Sequence, residues 1–183
     1  MKLRCFSLFI AVLLFSLAPA VRAKGTSADA YFGYSRVGAN LYQPNTSGMN
    51  GWQFAMHVKP MPFIGFEGDI SHYGQSAGNF SQHVTLVMFG PRVTAHAAGL
   101  SVFAHGLFGI AHDNATLATF PSIGYNGASY ALGGGADIPL FLGLKLRGTG
   151  DYLGNSRAPA RSGLASGNSI SHYRLGVGVA YHF

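Results

Sequence analysis

Charge is scarce in this chain of 183 residues, where Asp, Glu, Lys and Arg together make up 10%. Cysteine is scarcer, with a single Cys5 near the start. One thiol can build neither a disulfide framework nor a cysteine metal site. No cluster of Lys and Arg and no recognition motif is present, which removes nucleic-acid binding. Beyond the first 23 residues no run reaches the roughly 18 apolar residues of a membrane-spanning helix. Nor does any window hold a 3.6-residue apolar period over three turns, so a helical fold is not indicated.

The opening stretch, "MKLRCFSLFIAVLLFSLAPAVRA", accounts for part of the hydrophobic bias. Lys2 and Arg4 precede an apolar run from Phe6 to Leu17, and small residues follow at Ala18, Ala20 and Ala23. That is the build of a cleavable secretory signal peptide, with cleavage after Ala20 or Ala23. The chain therefore divides into a signal peptide, 1–23, and one mature domain, 24–183. Removing the first part takes away Cys5 and leaves nine basic residues (Lys24, Lys59, Lys145 and six Arg) against six acidic ones.

What the sequence has in quantity is glycine, 26 residues, and Phe plus Tyr, 14 and 9. They fall in eight segments of period two, bounded by Gly, Pro, Asn and Ser: "DAYFGYSRVGA", "GWQFAMHVKP", "FIGFEGDISHY", "HVTLVMFGPRVTA", "LSVFAHGLFGIAH", "SYALGGGADIPL", "LGLKLRGTGDYL" and "SHYRLGVGVAYHF". Period two is strand periodicity. The connections alternate long and short, from "NLYQPNTSGMN" and "KPMP" to "PLFL" and "GNSRAPARSGLASGN". Short turns on one side and long loops on the other are the connectivity of an outer-membrane barrel. The expected fold is all-β, an eight-stranded antiparallel up-and-down transmembrane β-barrel.

A soluble lipocalin-like barrel is the rival, and composition separates the two. A water-exposed face would carry Lys, Glu and Thr, whereas the polar phase here is mostly Gly and Ala with a few charges of both signs. Such a face suits a narrow lumen, where glycines leave room for long charged chains. The expected lumen network is Lys59, Glu67, Asp69, Asp137, Lys145, Arg147, Asp151 and Arg174, with Phe63 filling further space. Periodicity assigns no side to Arg36, Arg92 or His105. Tyr31, Tyr34, Trp52, Tyr73, Tyr130, Tyr152, Tyr173 and Tyr181 lie at segment ends and are expected to form interfacial girdles.

These features resemble the small OmpA-like outer-membrane β-barrels of Gram-negative bacteria. The likeness rests on "YFGYSRV", "GPRV", "ALGGGADI", "LRGTGDYL" and the final "RLGVGVAYHF". It implies an outer-membrane location and contact with outer-membrane lipid and lipopolysaccharide. The sequence departs from the two-domain members in that no peptidoglycan-binding domain is expected after the barrel, and a monomer is expected. The likeness also implies delivery by the outer-membrane assembly machinery, which reads an aromatic last strand, here Tyr181 and Phe183.

No catalytic residue, cofactor or metal site is assigned. Ser71–His72 and Ser171–His172 are adjacent and so point to opposite faces of a regular strand. His72, His83, His112 and His172 sit near the external rim, but His72 and His172 differ in phase, and a metal site is not the expected reading. An eight-stranded barrel has an interior just wide enough for side chains to fill. The expected role is thus structural, or surface interaction through external loops, where Arg157 and Arg161 form a possible anion contact. A narrow channel is the alternative, and a lipid A-modifying enzyme a more distant one. Deleting Phe183 is expected to lower the outer-membrane level of the protein more than any loop deletion, read by membrane fractionation; an unchanged level would contradict the assembly role.

Overall fold

The computed structural model describes residues 27–38, 48–77, 80–97, 99–117, 120–155 and 170–183. They form eight strands: β1 (Ser27–Val37), β2 (Met49–Lys59), β3 (Ile64–Ala77), β4 (Phe80–Ala97), β5 (Leu100–Leu117), β6 (Phe120–Pro139), β7 (Leu144–Asn155) and β8 (Ile170–His182). Each pairs antiparallel with the next, and β8 pairs with β1 to close a barrel. Closure leaves no open sheet edge at the level of the seam, the condition for crossing lipid with strands.

The ladder has a measurable stagger. Traced the long way from Ala30 it passes Met56, Gly68, Phe89, Phe108, Tyr130 and Gly154 and arrives at Ser171. Across the seam Ala30 pairs instead with Tyr181, ten residues further along β8. That shear tilts the strands and fixes the bore of the barrel.

Alternation sets the two faces. Phe89, Phe108 and Leu175 are about two-thirds exposed on the outside, at 59%, 64% and 67%, while Arg174 beside Leu175 is 0% exposed. Apolar out and charged in is the reverse of a soluble barrel and is what lipid requires. The outside also carries Tyr34, Trp52, Tyr152, Tyr173 and Tyr181. Rings meet there between Phe32 and Trp52, at 6.3 Å, and between Tyr152 and Tyr173, at 5.7 Å.

Four sequence expectations need correction. Tyr31 and Tyr73 are not girdle residues; both point inward and are 1% and 0% exposed. Room for Tyr31 comes from Gly33 and Gly176, where an added Cβ would sit 2.4 Å and 3.3 Å from its hydroxyl. Phe63 does not fill the lumen: it lies in the turn before β3 and is 65% exposed, so strand phase does not govern it. The connections after the third and fifth segments are short as well. β3 and β4 pair up to Ala77–Phe80, and β5 and β6 up to Leu117–Phe120, so "GQSAGNFSQ" and most of "DNATLATFPSIGYNGA" continue the ladder. At Ser76, His83, His112 and Asn114 the outward phase is polar, so the apolar signal that marks a strand in lipid is missing there, yet backbone pairing continues.

Gly133 shows how tightly the interior is set. A Cβ there would lie 2.2 Å from Asp151 Oδ1 and 2.3 Å from the Gly150 carbonyl, while one at outward-facing Gly148 would meet nothing within 4 Å. Gly133→Ala is expected to cost about 1–3 kcal/mol by overpacking, measured by urea unfolding in lipid vesicles. Gly148→Ala should unfold near the wild-type midpoint, and equal midpoints for all three proteins would contradict the packing described.

Candidate functional site

The middle of the lumen is filled by side chains from six strands. β3 supplies Glu67 and Asp69, β4 Arg92, β5 His105, β6 Asp137, β7 Arg147 and Asp151, and β8 Arg174. All eight are buried. They point inward because each occupies the phase opposite a lipid-facing neighbour, as Arg147 does between Leu146 and Gly148.

The contacts join into one web. Arg147 grips Asp137 with two parallel bonds, Nε to Oδ1 at 2.6 Å and Nη2 to Oδ2 at 2.8 Å. Arg174 bridges two strands: Nε donates to Asp151 Oδ2 at 2.6 Å, and Nη1 to Asp69 Oδ1 at 2.9 Å. Arg92 Nη1 donates to Glu67 Oε2 at 2.6 Å, and its Nη2 lies 3.6 Å from Asp137 Oδ2. Gln53 Nε2 adds a bond to Asp69 Oδ2 at 2.5 Å. Phe103 lies against both neighbouring cations, with the Arg92 guanidinium 3.6 Å and that of Arg147 5.0 Å from its ring centre. A cation over a ring face gains from the ring quadrupole.

Four carboxylates face three guanidiniums in this web, and His105 completes the count. Its Nε2 is 2.7 Å from Asp151 Oδ1, and its Nδ1 is 2.9 Å from Glu67 Oε1, within ion-pair reach though off the line of a hydrogen bond. An imidazolium, carrying a proton on each nitrogen, fits both contacts.

A second cluster lies toward the tight turns. Asp29 on β1 accepts from Lys145 Nζ at 2.9 Å and sits 2.8 Å from His182 Nδ1 and 3.3 Å from His57 Nδ1. It thereby ties β1, β2, β7 and β8 around the seam. Lys59 shares the inward phase at the end of β2 but makes no ion pair among the described residues. Tyr181 faces out and meets Phe183 edge-on at 5.0 Å, and the Phe183 amide donates to the Ala28 carbonyl at 2.9 Å. Arg157 and Arg161 lie outside the described residues.

Arg92 and His105, which periodicity leaves unassigned, face the lumen, and Arg36 faces out. The reason is visible above the charged web, where Val37, Tyr73, Val84, Leu86, Met88, Leu107, Ala111, Ala131 and Leu153 form an apolar interior. In β4 both faces are therefore apolar over Leu86–Phe89, and the pattern carries no phase there.

The adjacent Ser–His pair on β3 is split between the faces. Ser71 is buried inside and its Oγ donates to Asp69 Oδ1 at 3.3 Å, whereas His72 is outside, 2.9 Å from Thr85 Oγ1 and stacked on His83 at 5.8 Å. His112 is also outside, against Asn126 and Asn114. His172 faces in, with Nδ1 donating to the Gly38 carbonyl at 3.3 Å. Among the described residues no group of three or more His, Asp, Glu or Cys is placed to hold a metal.

Truncating one member of a buried ion web leaves its partners unpaired in low dielectric. Arg174→Met is expected to lower unfolding free energy by about 3–5 kcal/mol, since it strands Asp69 and Asp151 together. Urea unfolding in vesicles measures this, and a loss below that of Lys59→Met would contradict the web.

No protein-family model matches the sequence, and neither does any curated protein. Solved structures do match. The attachment invasion locus protein Ail of Yersinia pestis superposes with a TM-score of 0.58 at 16% identity, covering 88% of this chain and 100% of that one. Neisserial surface protein A gives 0.63 at 10% identity, over 87% and 98% of the two chains. The N-terminal β-barrel domain of Pseudomonas aeruginosa OprF gives 0.55 at 13%, over 87% and 98%. With its apolar exterior and charged interior, the chain has the fold of the small, OmpA-like eight-stranded β-barrels of the bacterial outer membrane.

Proposed function

We propose that this protein is a sealed outer-membrane barrel that works at its external surface, as a surface-interaction protein, and does not serve as a diffusion channel. The observation that carries this reading is the ion web across the middle of the lumen. Arg92, Arg147 and Arg174 are each at most 1% exposed there, and every one is held by a carboxylate. An ion crossing at that level has to break pairs that are costly to separate. What remains available for recognition is the outer rim and the loops, where function on rigid scaffolds concentrates.

The longest connection, 156–169, holds Arg157 and Arg161 with no acidic residue among its fourteen. Two guanidiniums without competing carboxylates suit a sulfated or phosphorylated partner. One of the similar structures is Ail in complex with the heparin analogue sucrose octasulfate, which is in keeping with an anionic partner for this scaffold. By the same reading, lipopolysaccharide phosphates at the outer leaflet are natural neighbours of these loops. No step of catalysis and no cofactor belongs to the proposal.

Two measurements test it. Purified barrel in planar bilayers is expected to show no steady conductance above the bare membrane; reproducible open levels would favour the narrow channel. On a heparin column the protein should be retained at low salt, and Arg157→Ala/Arg161→Ala should elute at clearly lower salt. Elution of both at the same salt would remove the loop from the proposal.

A further inference from the structure

The end of the barrel that carries the tight turns has no part in that external role, yet its residues are unusual. Turns that face water favour Gly, Asn, Asp and Ser. Here the connection after β2 reads "PMPF" and the one after β6 reads "LFLG". Met61, Phe63, Leu140 and Phe141 are exposed, and Leu142 is 84% exposed, the highest value among the large apolar side chains described. Leu100, which follows the β4–β5 turn, and Phe183 are exposed at the same end.

The β6–β7 turn holds its leucine against the preference of the backbone. The Leu144 amide donates to the Phe141 carbonyl at 3.0 Å, and between them Leu142 and Gly143 have φ of 52° and 80°. Two positive φ values between hydrogen-bonded ends are the pattern of a type I′ turn, whose preferred sequence is Asn-Gly. Leu142 is the only residue other than glycine with positive φ among the described residues. Left-handed backbone crowds Cβ against the following carbonyl, and leucine lacks the polar side chain with which asparagine offsets this. An exposed leucine in such a position gains nothing from water and nothing from the fold. Its surroundings must supply the gain.

Height along the barrel identifies those surroundings. Tyr152 and Tyr173 are paired in the external aromatic belt. A strand rises about 3.3 Å per residue, which a tilt of about 40° reduces to about 2.5 Å along the barrel axis. The eight steps from Tyr152 to Leu144, or from Tyr173 to Tyr181, cover about 20 Å of an apolar band about 25 Å tall. What completes the band is the turn itself and Phe183. They lie at one level, since the His182 amide donates to the Gly143 carbonyl at 2.9 Å.

We infer that the tight-turn rim is a phospholipid insertion surface. Phe63, Phe141, Leu142 and Phe183 enter the glycerol and upper acyl region of the periplasmic leaflet, the side on which such barrels carry their short turns. Exposed apolar residues occur at three turns and at the C-terminus, all around the rim. That distribution suits a surrounding solvent and not one partner docked on one side. Headgroup phosphates then lie level with Lys59, which makes no ion pair among the described residues. The acids of this end are already held, Asp29 by Lys145 and His182, and Asp137 by Arg147. A rim with a free cation and no free acid among the described residues attracts phosphate.

The test places a fluorescent reporter in the turns. The chain has one tryptophan, so Trp52→Phe/Phe141→Trp and Trp52→Phe/Phe63→Trp each report from a single turn. The full mature barrel is studied in phosphatidylcholine nanodiscs, with acyl chains brominated near the headgroup, brominated near the chain end, or unbrominated. Heat-modified mobility on gels confirms folding, and the wild-type protein, reporting from Trp52, calibrates a tryptophan in the external belt. Emission from both turn reporters should be blue-shifted from that of the urea-unfolded chain, with several-fold less quenching by acrylamide. Shallow bromines should quench more than deep ones. Adding Leu142→Asn to the Phe141→Trp reporter suits the backbone better, yet should raise acrylamide quenching; unchanged quenching would remove Leu142 from the surface. Emission and acrylamide quenching equal to those of the unfolded chain would overturn the proposal, because the turns would stand in water. So would protection from acrylamide without quenching by bromine, because a second copy of the chain would then cover the turns.

Discussion

Everything in this barrel turns on three guanidiniums that cannot reach water. Arg92, Arg147 and Arg174 are the largest of the fully buried side chains, and an arginine cannot shed its charge to ease burial. Each must be met by a carboxylate at bonding distance. The carboxylates come from β3, β6 and β7, so the pairs brace the wall across the bore as well as along it. Desolvation makes such a web a weak source of net stability but a strong constraint on geometry, since any other arrangement leaves charge unpaired. The register, the ten-residue shear and the lumen glycines can all be read as what allows these pairs to form at once. Gly176 illustrates this: it admits Thr149, Gln53 and Tyr31 to the same level of the bore.

The interior is divided by chemistry into three levels. Near the tight turns Asp29 gathers a lysine and two histidines at the seam; the ion web closes the middle; above it the lining is apolar up to Gln82 and Asp113. The outward face of the strands carries no Asp, Glu, Lys or Arg among the described residues apart from Arg36.

Much of this could be read from residues alone. β2, β3, β7 and β8 alternate cleanly because one face is aromatic or aliphatic and the other holds Gly, Ala and charge, and there the inward set Glu67, Asp69, Arg147, Asp151 and Arg174 follows directly. β4 and β5 defeat the same reasoning because Val84, Leu86, Met88 and Leu107 are apolar and inside, so both phases look lipid-facing. Tyr31 and Tyr73 mislead for a related reason: a tyrosine at a strand end suits an interface, but a bore lined with glycine accepts the ring. The upper parts of β3 to β6 stand where lipid no longer sorts residues by polarity, and there only pairing reveals a strand. Arg157 and Arg161 lie beyond any of these rules.

The most direct test is the exchange of guanidinium Nε protons with solvent, followed by NMR of the barrel in nanodiscs. Arg147 and Arg174 donate these protons to Asp137 and Asp151 at 2.6 Å in the sealed lumen. Their signals should persist far longer in deuterated buffer than that of outward-facing Arg36. Exchange of Arg147 and Arg174 as fast as that of Arg36 would mean that water runs through the bore, and the account of a closed lumen would be wrong.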